Sequence, residues 1–262
     1  MSHTTDQPSV GLFVTCLADM FRPSVAFATV KLLEAAGCRV EVPELQTCCG
    51  QPAFNSGDRK TTQTIAKTTI EAFEGFQYVV GPSGSCIGML HHYPELFEQD
   101  DPWFARAEAL KSRAYEITSF LLDVIQFEQI EAQFEGSITY HDSCSGLREL
   151  GIKQQPRQLL SKVKNLTLTE MEEAETCCGF GGTFCVKYPD ISNRMVSNKT
   201  QNISASGAST LVGGDLGCLL NMAGKLKREG KSVQARHVVE ILAGMTDTPA
   251  IGEAEYDLGK AI

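Results

Sequence analysis

Positive charge is scarce in this chain of 262 residues: 23 Lys and Arg stand against 32 Asp and Glu, a net charge of −9. Nucleic acid and anionic membrane both demand a basic face to displace counterions or meet lipid phosphate, so neither is the expected partner. Long apolar runs are missing as well. No window approaches the roughly 18 uninterrupted apolar residues of a membrane span. The opening "MSHTTDQPSVGLFVTC" has neither the basic region nor the apolar stretch of an export signal. The expected location is the cytoplasm. Two nucleotide signatures are also incomplete. "GPSGSC" (81–86) lacks the lysine of a phosphate loop, and "GFGGTF" (179–184) lacks the final glycine of a dinucleotide fingerprint. No two cysteines are spaced C-x2-C, the usual zinc knuckle. The closely spaced cysteine run of ferredoxins is absent too.

What the chain does have is cysteine, ten of them, in a compartment that keeps thiols reduced. Metal binding or working redox chemistry is then the default reading. Eight of the ten form two matching series: Cys16, Cys48, Cys49, Cys86 and Cys144, Cys177, Cys178, Cys218. Successive members are offset by 128, 129, 129 and 132 residues, which marks an internal repeat. The triplet Cys-Cys-Gly occurs twice, at 48–50 and 177–179. Composition alone would give it about 0.03 times.

The flanking segments repeat too. "VGLFVT" (10–15) and "SITYHD" (137–142) read as strands that each deliver a cysteine just beyond their ends. Pro23 and Gly37 bracket a helix, "CRVEV" (38–42) reads as a second strand, and "DRKTTQTIAKTTIEAF" (58–73) and "PDISNRMVSNKTQNISASG" (189–207) have helical patterning. "YVVG" and "STLVG" read as third strands, leading into Cys86 and Cys218. The segment 104–127 reads as one long helix, and His237 is expected on a late helix, "ARHVVEIL". The pattern predicts an α/β protein of two tandem, pseudo-repeated Rossmann-like units, 1–133 and 134–262, with mainly parallel sheets. Functional loops in such sheets lie at the carboxyl ends of the strands, and all eight repeated cysteines fall there.

Four converging thiolates suit zinc or an iron–sulfur cluster. Adjacent cysteines favour a polynuclear centre, because two neighbouring side chains need not reach one atom. Gly50, Gly179, Gly181 and Gly182 let backbone N–H groups approach sulfide or another anion, or simply make tight turns. A thiol–disulfide enzyme is a weaker alternative, since a vicinal disulfide closes a strained ring and leaves the other cysteines without a purpose. His141 could donate to a cluster sulfur or be a satisfied strand-end histidine. His91 and His92 read as helix surface, Arg148 and Lys187 as charges flanking the second site, His3 as part of a loose N-terminus. Cys38 reads as a buried strand residue, and Cys185 as a neighbour of the second site.

With "GPSGSCIGML", "HDSCSGLREL" and "CCGFGGTFCVKYPDIS", the two series resemble the CCG-domain family of cysteine-rich iron–sulfur oxidoreductase subunits. Its lactate-utilization branch is the closest, and its heterodisulfide reductase branch is more distant. The resemblance implies an electron-transfer subunit of a cytoplasmic complex that oxidises L-lactate to pyruvate together with other subunits. It implies one or two iron–sulfur clusters of the 4Fe-4S type held by the two cysteine sets, with zinc at one site as the alternative. No residue is assigned a catalytic role, and the carbon chemistry is expected to lie outside this chain. In the distant branch a fifth cysteine stands three residues before the last. Here those positions hold Ser83 and Asp215, which leaves an oxygen ligand, an open iron position or zinc as alternatives. Ser145 stands where close relatives often have histidine.

Overall fold

The computed structural model describes residues 7–253; His3 lies outside them. Two four-stranded sheets, all parallel, follow one another along the chain. The first comprises β1 (Ser9–Leu12), β2 (Arg39–Glu41), β3 (Tyr78–Gly81) and β4 (Ala114–Glu116), in the order β2-β1-β3-β4. The second comprises β5 (Gln133–His141), β6 (Lys164–Leu168), β7 (Thr210–Gly213) and β8 (Gln234–His237), in the same relative order, β6-β5-β7-β8. The repeat in the sequence is therefore a repeat of topology, and the α/β reading holds. Helices cover the sheets, so the central strands are buried. Val10, Leu12, Val79, Val80, Leu211 and Val212 are all fully enclosed.

Local chemistry sets the boundaries. Pro23 opens the helix Pro23–Ala35, where its missing N–H costs nothing, and Gly37 adopts the left-handed conformation that releases the chain into β2. The Asp58 carboxylate accepts from the Thr61 amide and caps the helix Arg59–Phe73.

Two expectations are corrected. The expected long helix at 104–127 is broken: a helix ends at Lys111, and Ala114–Glu116 pairs with β3 as a fourth strand. Likewise His237 is not inside a helix. It is the last residue of β8 and the N-cap of the helix Val238–Leu242. Sheet pairing supplies hydrogen bonds that local helical propensity could not anticipate.

The halves embrace reciprocally. The helix Pro23–Ala35 of the first packs on Val238–Leu242 of the second, and Gln154–Leu160 of the second packs on Ile117–Val124 of the first. One continuous core joins Val10, Leu12 and Ile117 to Ile138, Leu211 and Val239. At the seam Gly84 and Gly146 meet so closely that a Cβ on Gly84 would lie 2.8 Å from the Gly146 Cα. No helix among the described residues is long and apolar enough to cross a membrane.

Candidate metal centres

Each repeated cysteine sits on a loop or helix start at the carboxyl edge of its sheet. Cys16 and Cys144 open short helices just after β1 and β5, and Cys86 and Cys218 lie in the first turn of helices after β3 and β7. The Cys-Cys pairs arrive from the second strand of each sheet. The folding brings each series together. Cys16, Cys48, Cys49 and Cys86 form a chain of thiols in hydrogen-bonding reach, and Cys144, Cys177, Cys178 and Cys218 form a second.

The first cysteine of each pair is the electrostatic hub. Cys48 accepts from Cys16 and Cys49 and, through its turn, from the Gly50 amide, and these donors, Cys16 foremost, hold its thiol well below the usual range. Cys177 accepts from Cys144 and Cys178, and Gly179 N–H lies 3.4 Å from its sulfur; it too is held well below that range, chiefly by Cys144. Donation to these hubs, reinforced by burial, pushes Cys16, Cys49, Cys144 and Cys178 upward. Cys218 accepts from Cys178, but burial and the charges of Asp215 and Cys177 leave it raised. Each set thus crowds thiols that can all become thiolates only if a cation neutralises them.

Gly50 and Gly179 have φ of 86° and 83°, so the hub's amide donor depends on a conformation that other residues adopt only with strain. At Gly179 a Cβ would also lie 2.8 Å from the Ser192 carbonyl.

Ser83 and Asp215 do not point into separate sites. They meet across the seam: Ser83 Oγ donates to Asp215 Oδ1 at 3.0 Å, and Asp215 also accepts from the Ser85 amide (2.9 Å) and hydroxyl (2.7 Å). Ser83 accepts in turn from the Cys86 amide, capping the helix that carries that cysteine. A cavity of about 160 Å³ opens beside the first set, lined by Cys16, Cys48, Cys49 and Cys86 and closed by Phe180 and Asp215 from the second half. Larger hollows elsewhere, such as the 630 Å³ one between Lys31 and Gln133, hold no cysteine.

The second set has polar neighbours that the first lacks. His141, at the end of β5, is 1% exposed, and neither ring nitrogen has a hydrogen-bond partner. A ring nitrogen and the sulfurs of Cys178 and Cys218 lie within 4.8 Å of one another. Burial, with the nearby Lys199 ammonium, pushes this histidine down to about 3 and keeps the imidazole neutral. The Ala174 carbonyl opposes that shift, but no hydrogen bond of good geometry reaches either ring nitrogen.

Lys199, 1% exposed, donates to the carbonyls of Glu173 and Ala174 and pins the segment ahead of Cys177. Sequence reasoning missed it. The signal was there, because Ser192, Val196, Lys199 and Ile203 form the buried stripe of the helix Pro189–Ala205. Applying the local offsets of 128 and 129, the counterparts of His141 and Lys199 are Phe13 and Ile70, both fully buried in the apolar core.

The remaining candidates fall outside the two sets. Cys38 is buried in the shared core, and Cys185 sits on the short helix Phe184–Lys187. His91 is half-buried and bonded to the Ala114 carbonyl, not free helix surface, whereas His92 pairs with Glu95. Arg148 is exposed, and Lys187 reaches Ser56 of the other half. His237 is enclosed: its Nδ1 accepts from the Val239 amide, so Nε2–H donates to the Pro82 carbonyl across the seam.

The model of the CCG cysteine-rich domain matches this chain twice, over residues 10–91 and 138–223. The chain belongs to the CCG cysteine-rich domain family. The two matched segments of this CCG protein contain all eight repeated cysteines. Lactate utilization protein A of Oceanobacillus iheyensis is 48% identical over 89% of this chain and 96% of its own length. The protein of that name from Bacillus pumilus is 50% identical over 89% of this chain and 98% of its own. Among solved structures, a hypothetical protein from Helicobacter pylori aligns with a TM-score of 0.64 at 13% identity. It covers 94% of this chain, which spans about half (49%) of that one, and it supports the fold alone.

Glu116, which ends β4, provides a pH test of the seam. Its carboxylate accepts from the Thr118 hydroxyl and amide, yet complete burial, aided by Asp215, raises it from the ordinary 4.5 to about 7. The folded state therefore holds this proton more tightly than the unfolded chain. The associated stability is complete below about pH 4.5 and is lost as pH rises through 7, on the order of 3 kcal/mol. Unfolding titrations between pH 5 and 8 should show that slope, and Glu116→Gln should flatten it; an unchanged slope in the variant would assign it elsewhere.

Proposed function

We propose that this protein is an electron-transfer subunit of a cytoplasmic lactate-utilization system, working with further subunits that oxidise L-lactate to pyruvate. Cys16, Cys48, Cys49 and Cys86 would hold one iron–sulfur cluster, and Cys144, Cys177, Cys178 and Cys218 the other. The observation that carries this reading is the gathering of two four-thiol sets at strand ends, in a chain whose relatives bear the name lactate utilization protein A. Bound clusters of this kind accept and release single electrons.

The chain's own residues account for how such groups would be held. The hub cysteines supply thiolate at neutral pH, and the Gly50 and Gly179 amides reduce the charge on it. Phe180 and the Asp215 loop close the first pocket from the opposite half and restrict water. Lys199 adds positive charge beside the second set, which favours an anionic occupant there. Paired adjacent cysteines favour a polynuclear centre over a single zinc ion, and zinc remains the second reading at the compact His141, Cys178, Cys218 group.

Anaerobic purification followed by iron, sulfide and zinc analysis should give a brown, iron- and sulfide-containing protein that does not oxidise lactate by itself. A colourless protein with stoichiometric zinc at both sites would overturn the relay, and robust lactate oxidation by the single chain would overturn the division of labour.

A further inference from the structure

We infer that His141 is a direct nitrogen ligand of the second centre, so that the two centres differ in their coordination. The inference rests on the reading that the second cysteine set binds metal, and goes beyond it by adding a ligand of another type. A buried imidazole with both nitrogens unpartnered is rare, because burying a polar ring without hydrogen bonds costs free energy that folding does not return. Here the ring ends beside Cys178 and Cys218, closer than 4.8 Å between donor atoms. A metal bound by those sulfurs would satisfy the free imidazole nitrogen.

The other polar groups near the ring are committed elsewhere. Lys199 is bonded to the carbonyls of Glu173 and Ala174, Asp142 is gripped by Arg157 at 2.8 and 2.9 Å, and Asp215 has turned to Ser83 and Ser85. The Ala174 carbonyl also influences the ring, but neither ring nitrogen makes a hydrogen bond of good geometry with it. The first half shows what the same backbone position does without this role. Phe13, the counterpart by the offset of 128 that relates Cys16 to Cys144, packs against Phe73 with ring centroids 5.6 Å apart. Phenylalanine cannot ligate. The first centre is then held by thiolates alone and the second by thiolates plus imidazole. The two centres then differ in donor type, sulfur alone in the first and sulfur with nitrogen in the second.

The test uses the full-length chain carrying Cys48→Ser and Cys49→Ser, which disables the first set, loaded with zinc as the probe. X-ray absorption at the zinc edge separates sulfur at about 2.3 Å from imidazole nitrogen at about 2.0–2.1 Å. The expected result is a mixed shell with one imidazole, lost when His141→Phe installs the residue of the first half and lost again in His141→Ala. An all-sulfur shell in the His141-containing protein overturns the inference while leaving the thiolate centre standing, and that spectrum decides even if the variants fail to fold. Failure to bind zinc at all removes the metal centre and the inference with it.

Discussion

Cys177→Ser is expected to empty the second centre and remove about half of the bound iron and sulfide, because ligand loss and cofactor loss are coupled at such sites. The size of the effect follows from the position of this residue. Cys177 is the sulfur that both Cys144 and Cys178 approach and to which Gly179 N–H is directed. Serine puts a harder oxygen there, with an alcohol proton that neutral pH does not remove. Cys48→Ser should do the same to the first centre, for the same geometric reason. Cys38→Ser and Cys185→Ser are the controls. The first lies in the core and the second on a separate short helix, so iron, sulfide and visible absorption per chain should stay at the wild-type level. Loss of the second centre's iron in Cys185→Ser, equal to that in Cys177→Ser, would show that the ligand set is wrong.

Glu240→Ala should cost about 3–5 kcal/mol of stability, the usual penalty for breaking a buried ion pair from one side. Glu240 is fully buried and accepts from Arg22 Nε at 2.8 Å, Ser24 Oγ at 2.6 Å and the His237 amide at 3.0 Å. Arg22 and Ser24 belong to the first half and Glu240 to the second, so this carboxylate is a tie between them. Removing it strands a guanidinium that is only 7% exposed, although Pro249 and Thr248 still accept from its other nitrogens. Against a total stability of roughly 5–15 kcal/mol, that loss would move the urea midpoint far. Arg22→Met with Glu240→Met should recover part of it, since the Arg22 guanidinium is removed together with its partner while the buried Arg236 nearby still loses the charge of Glu240. The solvent-exposed Lys153–Glu175 pair offers the comparison, and Glu175→Ala should leave the midpoint unmoved. A midpoint in Glu240→Ala equal to wild type would mean that apolar packing alone joins the halves.

Much of this was legible in the residue string, and the reason is periodic spacing. Four cysteines recurring at offsets of 128 to 132 carried the duplicated topology and the membership of both thiol sets. Short apolar runs ahead of Cys16, Cys86, Cys144 and Cys218 carried the strands that deliver them. The fourth strands were not legible. Ala114–Glu116 is three residues long and lies in a sequence with good helical pattern, and only the edge of β3 makes it a strand. The same holds for Gln234–His237 on β7.

Within the sites, what spacing could not show was contact between halves. Ser83 and Asp215 read as two independent substitutions, and the fold turns them into one hydrogen-bonded pair. His141 could be suspected from its place three residues before Cys144, but its missing partners are a property of the enclosure. Lys199 was hidden because a lysine on a polar helix reads as surface, whereas here its stem lies in the buried stripe.

The Ser83–Asp215 pair also bears on why the two repeats must share one chain. These are counterparts in the repeat, 132 residues apart, and they touch. In a symmetric dimer of identical single units each would face its own copy, because a two-fold interface sets equivalent residues against one another. Two aspartates so placed would repel, and two serines would make a weaker, uncharged bond. A serine donating to an aspartate needs two different sequences at one position, which a homodimer cannot provide and a fused duplicate can. This joint therefore requires that both repeats lie in one chain and differ in sequence at the equivalent position.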